Sequence, residues 1–404
     1  MTDRVETSAG PLEGLRVVEM GSLIAGPFCG QLLGDLGAEV IKVEPPGTGD
    51  PMRQWGQQKV DGESLWWPVI GRNKKSVTLN LRVPEGQAIA RGLIARSDFL
   101  IENFRPGTME RWNLAYEQLS KDNRGLIMIR VSGFGQTGPW AKRAGFGVIA
   151  EAMGGLRHVC GDPSKPPSRV GISIGDSLAA AFSCIGALAA LHHRERTGEG
   201  QVVDTAIYEA VLGMMESLVS TYDKTGHVFE RHGAVLPKVA PSNVYPTSDG
   251  KSMLIAANQD TVFGRLAQAM GMPELAADPR FSTHTARGEH QAELDEIIGG
   301  WSRTMAAARL EALMEEHGVP CGKIYTAPDM LADPQFAARE AITSILHPRL
   351  GQLRMQNVVP KLSATPGRVR SPGPELGEHN QEIYGNLMRM SAGEIARNRR
   401  AGVI

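Results

Sequence analysis

The sequence predicts an α/β protein in which a parallel β-sheet is flanked by helices. Two observations support this prediction. Over the first 130 residues, short β-branched runs alternate with segments whose apolar residues recur at helical spacing. This strand–helix–strand order is that of βαβ units, which build parallel sheets. At 404 residues and 42% hydrophobic content, the chain is also long enough for a large core and a second domain.

The individual elements follow in chain order. Strands are predicted at residues 15–20 (LRVVEM) and 39–44 (EVIKVE), with a helix between them that opens on a Gly-Pro pair. The alternation continues with a strand at 75–81, a helix at 85–97 and strands at 98–103 and 125–132. An Ala-rich helix then ends in basic residues and Gly198, a strand follows at 201–207, and another helix begins near Glu209.

Three segments are predicted along the chain. Residues 1–224 form the large α/β domain. Residues 225–330 form a smaller α+β domain, because turn signals and short strands there give way to helices at about 260–318. Residues 331–404 combine Pro-rich extended pieces with a final helix and are predicted to be a C-terminal strap.

Composition excludes several classes of function. Forty-three Lys and Arg against 44 Asp and Glu leave a net charge of -1, so no global field attracts nucleic acid, and any anionic ligand needs a local site. The four cysteines form no C-x-x-C pair and no zinc-type spacing with histidine, so no metal is expected. Reduced thiols and a polar N-terminus without an apolar signal region point to the cytoplasm. The apolar run at 178–191 is shorter than the roughly 20 residues that cross a bilayer, so a buried helix and no membrane partner are expected.

A G-x-G-x-x-G pattern, Gly133 to Gly138, directly follows a predicted strand. In a dinucleotide site the last glycine opens a helix that meets the pyrophosphate. Here Pro139 and Trp140 follow at once and no helical pattern begins, which argues against nicotinamide or flavin binding. A loop at the carboxyl end of a strand is the preferred interpretation, and it remains compatible with a phosphate ligand.

Basic and amide side chains collect where predicted strands end. Asn103, Arg105 and Arg111 follow the strand at 98–103, and Lys142 and Arg143 follow the one at 125–132. Ligands of parallel sheets bind at this edge, where such groups hold phosphates through charge-assisted hydrogen bonds. Ordinary solvated charges are the alternative. The clustering on these loops favours an anionic ligand.

Asp176 lies in a glycine-flanked turn that leads from ISI into the Ala-rich helix. An Asp before a helix is most often its N-cap, and spacing alone favours that role. The small residues around it also leave room for a thioester to approach, and as a nucleophile its carboxylate would form an acyl anhydride. Both interpretations are open at the level of spacing.

Seven segments in order resemble the class III CoA-transferases, across nearly the whole chain. They are GPLEGLRVVEMGSLIAGPFCGQLLGDLGAEVIKVEPPGTGD, RNKKSVTLNL, LIENFRPGTMERW, VSGFGQTGPW, GDSLAAAFSCIGALAALHHRERTGEGQ, GVPCGKIYTAPDMLADPQF and SPGPELGEHNQEI. The resemblance implies a Rossmann-like large domain, a ring-like chain and an interlocked homodimer. It also implies CoA thioesters as substrates, with no permanently bound cofactor.

The family's nucleophilic aspartate corresponds to Asp176, so the resemblance favours the nucleophile over the cap. It places the acyl pocket at Trp55 and Phe146. The CoA surface that it implies consists of Ile24, Ala25, Leu79, Asn103, Phe104 and Arg111, with Lys142 and Arg143 near the nucleotide.

The resemblance is greatest to the succinyl-CoA-dependent dicarboxylate branch. Pro45 and Pro46 stand where formyl-CoA transferase has a basic CoA contact, and that enzyme's glycine-rich lid has no counterpart here. The expected reaction moves CoA from succinyl-CoA to a short dicarboxylate or hydroxydicarboxylate. The alternatives are a 2-methylacyl-CoA racemase, whose histidine has no equivalent near Ala144 and Gly145, and a CoA-binding protein without turnover.

Overall fold

The computed structural model describes residues 10–404; residues 1–9, part of the predicted N-terminal lead-in, lie outside the described residues. The chain forms two compact units. The first contains the chain up to Leu156, then Val170–Ser220 and Gln335–Ile404, and the second contains Arg157–Arg169 and Thr221–Pro334. Residues 335–404 therefore fold with the first unit.

The strands are β1 Arg16–Glu19, β2 Glu39–Glu44, β3 Lys59–Val60, β4 Glu63–Ser64, β5 Lys74–Thr78, β6 Phe99–Glu102, β7 Ile127–Ser132, β8 Val202–Ala206, β9 Ser242–Pro246, β10 Ser252–Ala256, β11 Cys321–Lys323, β12 Ile342–His347 and β13 Gly351–Gln356. The α-helices are α1 Ala25–Asp35, α2 Trp67–Ile70, α3 Pro84–Ile94, α4 Thr108–Arg111, α5 Tyr116–Asp122, α6 Gly147–Met153, α7 Leu156–Val159, α8 Ile174–Thr197, α9 Ile207–Leu212, α10 Leu218–Thr225, α11 Asp260–Ala269, α12 His284–Glu289, α13 Gln291–Ser302, α14 Ala307–Glu316, α15 Ala327–Ala332, α16 Pro334–Ala338 and α17 Ala392–Arg400. Short 3-10 helices occupy Pro51–Gln54 and Pro273–Ala276, and Gln381–Leu387 is π-helical.

A six-stranded sheet organises the first unit, with the order β5-β2-β1-β6-β7-β8 and every neighbouring pair parallel. This confirms the α/β prediction. Alternate residues face opposite sides, because successive strand side chains point to opposite faces. Val17 lies in the core that includes α1 and α8, whereas Val18 lies in the core formed with α3 and α17. Both faces are thus covered, as a parallel sheet requires.

The longest helix, α8, packs on one face of this sheet and against α1. It buries small residues such as Ala179, Ala180 and Ala187, which allow close helix packing, and Gly198 in the left-handed conformation ends it. In length and composition α8 alone, among residues 10–404, suffices to cross a membrane. The prediction of a buried helix holds for its inner face and is wrong for its outer face, where Phe182 and Ile185 are exposed.

The C-terminal segment is tied to β5 by side chains. Asn380 accepts a hydrogen bond from the Thr78 backbone N–H at 2.8 Å and donates to the Thr78 hydroxyl at 2.8 Å. Tyr384 donates its hydroxyl proton to the Thr78 carbonyl at 2.8 Å. The antiparallel hairpin β12–β13 also belongs to this segment, for which the sequence predicted only extended pieces and a helix.

The second unit has its own core, built on the antiparallel sheet β11-β10-β9 and helices α11, α13 and α14. Arg287 is fully buried there and donates to three backbone carbonyls and to Asp260. A buried guanidinium requires such partners, since an unpaired buried charge is strongly destabilising.

Candidate active site

The candidate site lies at the carboxyl edge of the parallel sheet. Loops that leave β1, β2, β5, β6 and β7 emerge on this edge, and α1 and α8 begin there before running back toward the amino edge. The sequence-predicted site residues lie on these loops or on the first turns of the helices that follow them. One edge of one unit therefore collects them.

Asp176 is the third residue of α8, within its first turn, and it is half-buried. The N-cap of this helix is Ser173, so the alternative role of Asp176 as the helix cap is wrong. An acidic side chain in the first turn still benefits from the positive end of the helix dipole. Asp176 thus presents a carboxylate at the sheet edge.

Gly147, the first residue of α6, lies directly against that carboxylate. A Cβ atom on Gly147 would be 2.6 Å from Asp176 Oδ2 and 2.9 Å from both Cγ and Oδ1, closer than real Cβ contacts. Only glycine permits this approach. The sequence analysis did not single out Gly147, because nothing local reveals that it faces a side chain 29 positions along the chain.

The backbone under Asp176 is equally closely packed. A Cβ on Gly175 would lie 3.1 Å from Glu151 Cγ and 3.3 Å from Ile207 Cγ2. Glu151, on α6, is 1% exposed, so a second carboxylate is buried beside the first turn of α8. Glu151 was also missed from the sequence, where it reads as an ordinary helix-surface residue. The packing of α6 and α9 on α8 fixes where Asp176 stands.

Two aromatic side chains predicted for the acyl pocket are exposed. Phe146 is the N-cap of α6 and 67% exposed, and it directly precedes Gly147, the residue that lies against Asp176. Trp55 follows the 3-10 helix after β2, is 40% exposed and stacks edge-on against Trp66 with 5.9 Å between ring centroids. Exposed aromatics of this size provide apolar surface for a ligand.

The predicted basic residues are available for an anion. Arg105, Arg111, Lys142 and Arg143 are all exposed, and none forms an ion pair within the described chain. Arg111 donates to the Thr108 hydroxyl at 2.9 Å, and the Arg143 guanidinium lies 4.2 Å from the centre of the Trp140 ring. Arg105 stands on the loop after β6, Arg111 ends the short helix α4 that follows it, and Lys142 and Arg143 stand on the loop after the adjacent strand β7.

Other predicted CoA contacts are mostly packed. Ile24 and Ala25 are each 4% exposed and Leu79 is 2% exposed, so each presents only a small surface to a ligand. Phe104 stacks on Trp112 with 5.0 Å between centroids. Asn103 turns its amide toward the β1–α1 loop, where it accepts from Ser22 N at 2.8 Å and donates to Ser22 O at 2.9 Å.

Glu102, just before Asn103, has a buried carboxyl group whose pKa is raised. Burial raises its pKa to about 7, although Arg130 at 2.7 Å and the Phe104 backbone N–H both oppose the rise. The group therefore titrates near neutral pH, at the base of the loop that carries Asn103.

The glycine loop after β7 does not have the context of a dinucleotide site. No helix begins at Gly138, and α6 starts only at Gly147. Gly135 and Gly138 both have φ of 84° and serve turns. Within residues 10–404, no group of three or more His, Cys, Asp or Glu is placed to hold a metal ion.

Comparisons with known proteins agree on one family. The model of CoA-transferase family III matches residues 12–380. The chain is 60% identical over 386 residues to succinyl-CoA–D-citramalate CoA-transferase of Chloroflexus aurantiacus, covering 96% of both chains. It is 42% identical over 392 residues to the beta subunit of succinyl-CoA–L-malate CoA-transferase from the same organism, covering 96% of this chain and 97% of that one. The crystal structure of a CAIB/BAIF family protein from Brucella suis is similar with a TM-score of 0.83 at 36% identity, covering 94% and 99% of the two chains.

Proposed function

The chain belongs to CoA-transferase family III and is an enzyme of that class, and we propose that it moves CoA from succinyl-CoA to a short hydroxydicarboxylic acid through intermediates on Asp176. The observation that carries the proposal is the carboxylate of Asp176 lying against the bare Cα of Gly147. Because Gly147 has no side chain, α6 packs directly against this carboxylate and holds it in one position, as a nucleophile that must meet an acyl carbon requires.

In the first half-reaction, an Asp176 oxygen attacks the thioester carbonyl of succinyl-CoA. The C–O bond forms as the C–S bond breaks, which gives a mixed aspartyl–succinyl anhydride and the CoA thiolate. The thiolate then attacks the aspartyl carbonyl, releases succinate and leaves an aspartyl-CoA thioester. No proton or water is consumed, so the free energy of the thioester is retained in the covalent intermediates.

In the second half-reaction, a carboxylate of the acceptor acid attacks the aspartyl-CoA thioester. A new anhydride forms and the CoA thiolate leaves. Attack of this thiolate on the acceptor carbonyl yields the product acyl-CoA and restores the Asp176 carboxylate. Asp176 thus acts as nucleophile and leaving group in turn.

The CoA moiety is proposed to lie along the carboxyl edge. Arg105, Arg111, Lys142 and Arg143 are exposed cations without acid partners in residues 10–404, which suits the phosphates of CoA. Ile24, Ala25, Leu79, Asn103 and Phe104 would border the rest of the molecule. Charge-assisted contacts of this kind tether the long substrate while the thioester reacts.

The acceptor is proposed to be D-citramalate or a closely related hydroxydicarboxylate. The support is the relative at 60% identity, whose name gives this acid as its acceptor. Trp55 and Phe146 supply exposed apolar surface for the carbon skeleton of the acyl group.

The interlocked homodimer is also proposed, because the apolar side chains of Phe182 and Ile185 on the outer face of α8 are uncovered in one chain. Light scattering, which measures the molecular mass in solution, tests whether the protein is a dimer.

The reaction is tested with a panel. The enzyme is incubated with succinyl-CoA and each of D-citramalate, L-malate, glutarate and 2-methyl-branched monocarboxylates, and acyl-CoA products are separated by chromatography. We expect the fastest transfer to D-citramalate and loss of transfer in Asp176→Asn, which keeps the shape but not the nucleophile. Hydrolysis of succinyl-CoA to succinate and free CoA without formation of a new acyl-CoA, or full transfer by Asp176→Asn, would refute the proposal.

A further inference from the structure

The loop that joins β1 to α1 is held in a strained conformation at the carboxyl edge. Leu23 has φ of 66°, in the left-handed region that non-glycine residues avoid. Such a conformation is energetically unfavourable and persists only where the surrounding structure enforces it. Residues 21–27, which comprise the end of this loop and the first three residues of α1, therefore need an explicit source of order.

Asn103 supplies one part of that order. Its side-chain amide accepts from the Ser22 N–H and donates to the Ser22 carbonyl, so both amide groups are used on a single residue 81 positions away. Two glycines make room for it, since a Cβ on Gly21 would lie 2.7 Å from Asn103 Oδ1 and one on Gly26 would lie 3.3 Å from its Cγ. Both flanks of the Asn103 side chain are thus closed by loop backbone.

A buried charge cluster, defined as Glu19, Lys42, Asp50 and Lys74, supplies the rest. Lys42 Nζ lies 2.8 Å from Glu19 Oε1 and 2.7 Å from Asp50 Oδ2, and Lys74 Nζ lies 2.7 Å from Glu19 Oε2. All four side chains are 2% exposed or less. Two cations and two anions balance in charge. A Cβ on Gly30 of α1 would fall 2.0 Å from Glu19 Oε2, so α1 carries glycine at that position.

Each member of the cluster except Glu19 also bonds the loop. Lys42 donates to the Gly21 carbonyl at 2.5 Å, Asp50 accepts from the Leu23 N–H at 3.1 Å, and Lys74 donates to the Pro27 carbonyl at 2.6 Å. Together with Asn103 on Ser22, five backbone groups of residues 21–27 are held by side chains from β2, from β5 and from the loops after β2 and β6. The loop is thus anchored at both ends and in its centre.

Stability alone does not call for such a cluster. Taking charges out of water carries a large desolvation penalty, and apolar residues of similar volume often replace buried ion pairs without loss of stability. When a loop is already ordered before a ligand arrives, in contrast, the free energy of binding does not have to offset the conformational entropy lost in ordering it. In this cluster the charged side chains bind backbone groups of one short segment, which is the expected pattern if that segment must be ordered before the ligand binds.

We infer that the buried charge cluster and Asn103 are positioning residues that preform residues 21–27 as a docking surface for the CoA part of the substrate. This inference rests on the proposed function, because CoA is the ligand that the loop would meet. Asn103 acts through Ser22, and the four cluster residues act through the loop backbone.

The test compares two variants with a matched control. Asp50→Asn keeps the acceptor for Leu23 N–H but removes the ion pair with Lys42, and Asn103→Ala removes the hold on Ser22 without altering any buried charge. The control is Asp35→Asn, since Asp35 is also a buried carboxylate, 1% exposed and paired with Arg72 at 2.5 Å, but lies at the far end of α1. Hydrogen exchange of peptides covering 21–27, the Kd for free CoA and steady-state kinetics are measured for all four proteins.

We expect faster exchange at 21–27 in both test variants, an increase of about tenfold in the Kd for CoA and the KM for succinyl-CoA, and kcat within about threefold of wild type. Asp35→Asn should lower the melting temperature yet leave exchange at 21–27 and both constants unchanged. If Asp50→Asn does not fold, hydrogen exchange at 21–27 in Asn103→Ala decides the test, because Asn103 is itself proposed to border CoA and a change in the Kd alone would not separate the two roles.

Three outcomes overturn the inference. In the first, exchange at 21–27 is unchanged in a folded test variant. In the second, the loop loosens while the Kd for CoA stays within about twofold of wild type, which leaves the proposed function intact. In the third, Asp35→Asn weakens CoA binding as much as the test variants do. A wild-type protein that binds no CoA would instead overturn the proposed function and, with it, the role assigned to the loop.

Discussion

Replacing Gly147 with alanine tests the geometry around Asp176 with a single methyl group. The new Cβ would lie 2.6 Å from Asp176 Oδ2, whereas ordinary contacts begin at 3.4 Å, so the carboxylate must retreat by about 0.8 Å. A displacement of about 1 Å at a reacting group costs on the order of 100-fold in rate, or about 2.7 kcal/mol in barrier height. Overpacking should also destabilise the fold by about 1–3 kcal/mol, partly offset by the better helix propensity of alanine.

The assay follows transfer of CoA from succinyl-CoA to D-citramalate, together with the Kd for CoA and the melting temperature. Gly147→Ala should lower kcat about 100-fold and leave the Kd for CoA nearly unchanged, because the methyl group touches the nucleophile and not the basic loops. Gly171→Ala is the matched control, since a Cβ there meets nothing within 4 Å and should change neither quantity. A Gly147→Ala enzyme with wild-type kcat would refute the placement of Asp176 or its role as nucleophile.

Burial favours a raised pKa for Asp50, but Lys42 and the backbone donors outweigh the effect of burial and hold the pKa below its usual value. The stability that the ionised Asp50 carboxylate contributes is therefore present above about pH 4 and is lost as the pH falls further. The unfolding free energies of wild type and Asp50→Asn, measured by denaturant titration, should therefore converge as pH falls; a constant difference would contradict this. Arg111→Ala should raise the KM for succinyl-CoA about tenfold at low salt and by less at high salt. The control is Arg124→Ala, which removes an exposed arginine paired with Glu199 at the amino edge and should leave this KM unchanged. Equal effects of the two substitutions would argue against a contact between Arg111 and the phosphates of CoA. Incubating 2-methylacyl-CoA in D₂O should leave the α-proton unexchanged, as followed by NMR, and exchange would revive the racemase alternative.

The parallel sheet could be predicted because both of its faces are buried. Strands such as β2 and β7 are rich in Val and Ile, and this enrichment can be read from the sequence without knowing which strands pair. The β12–β13 hairpin escaped prediction for the opposite reason. Most of its residues are exposed or half-buried, so they form no apolar run, and its register depends on pairing that local sequence does not encode.

The candidate site was predictable only in part. The family resemblance selected Asp176, yet its place in the helix was misjudged, since α8 begins at Ile174 and its cap is a serine without a side-chain capping bond. The role of Asn103 depends on Ser22, and that of Gly147 on Asp176. Such roles arise from contacts between distant positions, which no local pattern of residues reveals.

Trapping the covalent intermediate tests the central claim most directly. The enzyme is incubated with succinyl-CoA alone, treated with hydroxylamine and digested, and the peptides are sequenced by mass spectrometry. A hydroxamate at Asp176, absent from Asp176→Asn and dependent on succinyl-CoA, is the predicted result. An unmodified Asp176 in an enzyme that still exchanges CoA between acids, or a hydroxamate on another carboxylate such as Glu151, would contradict the claim.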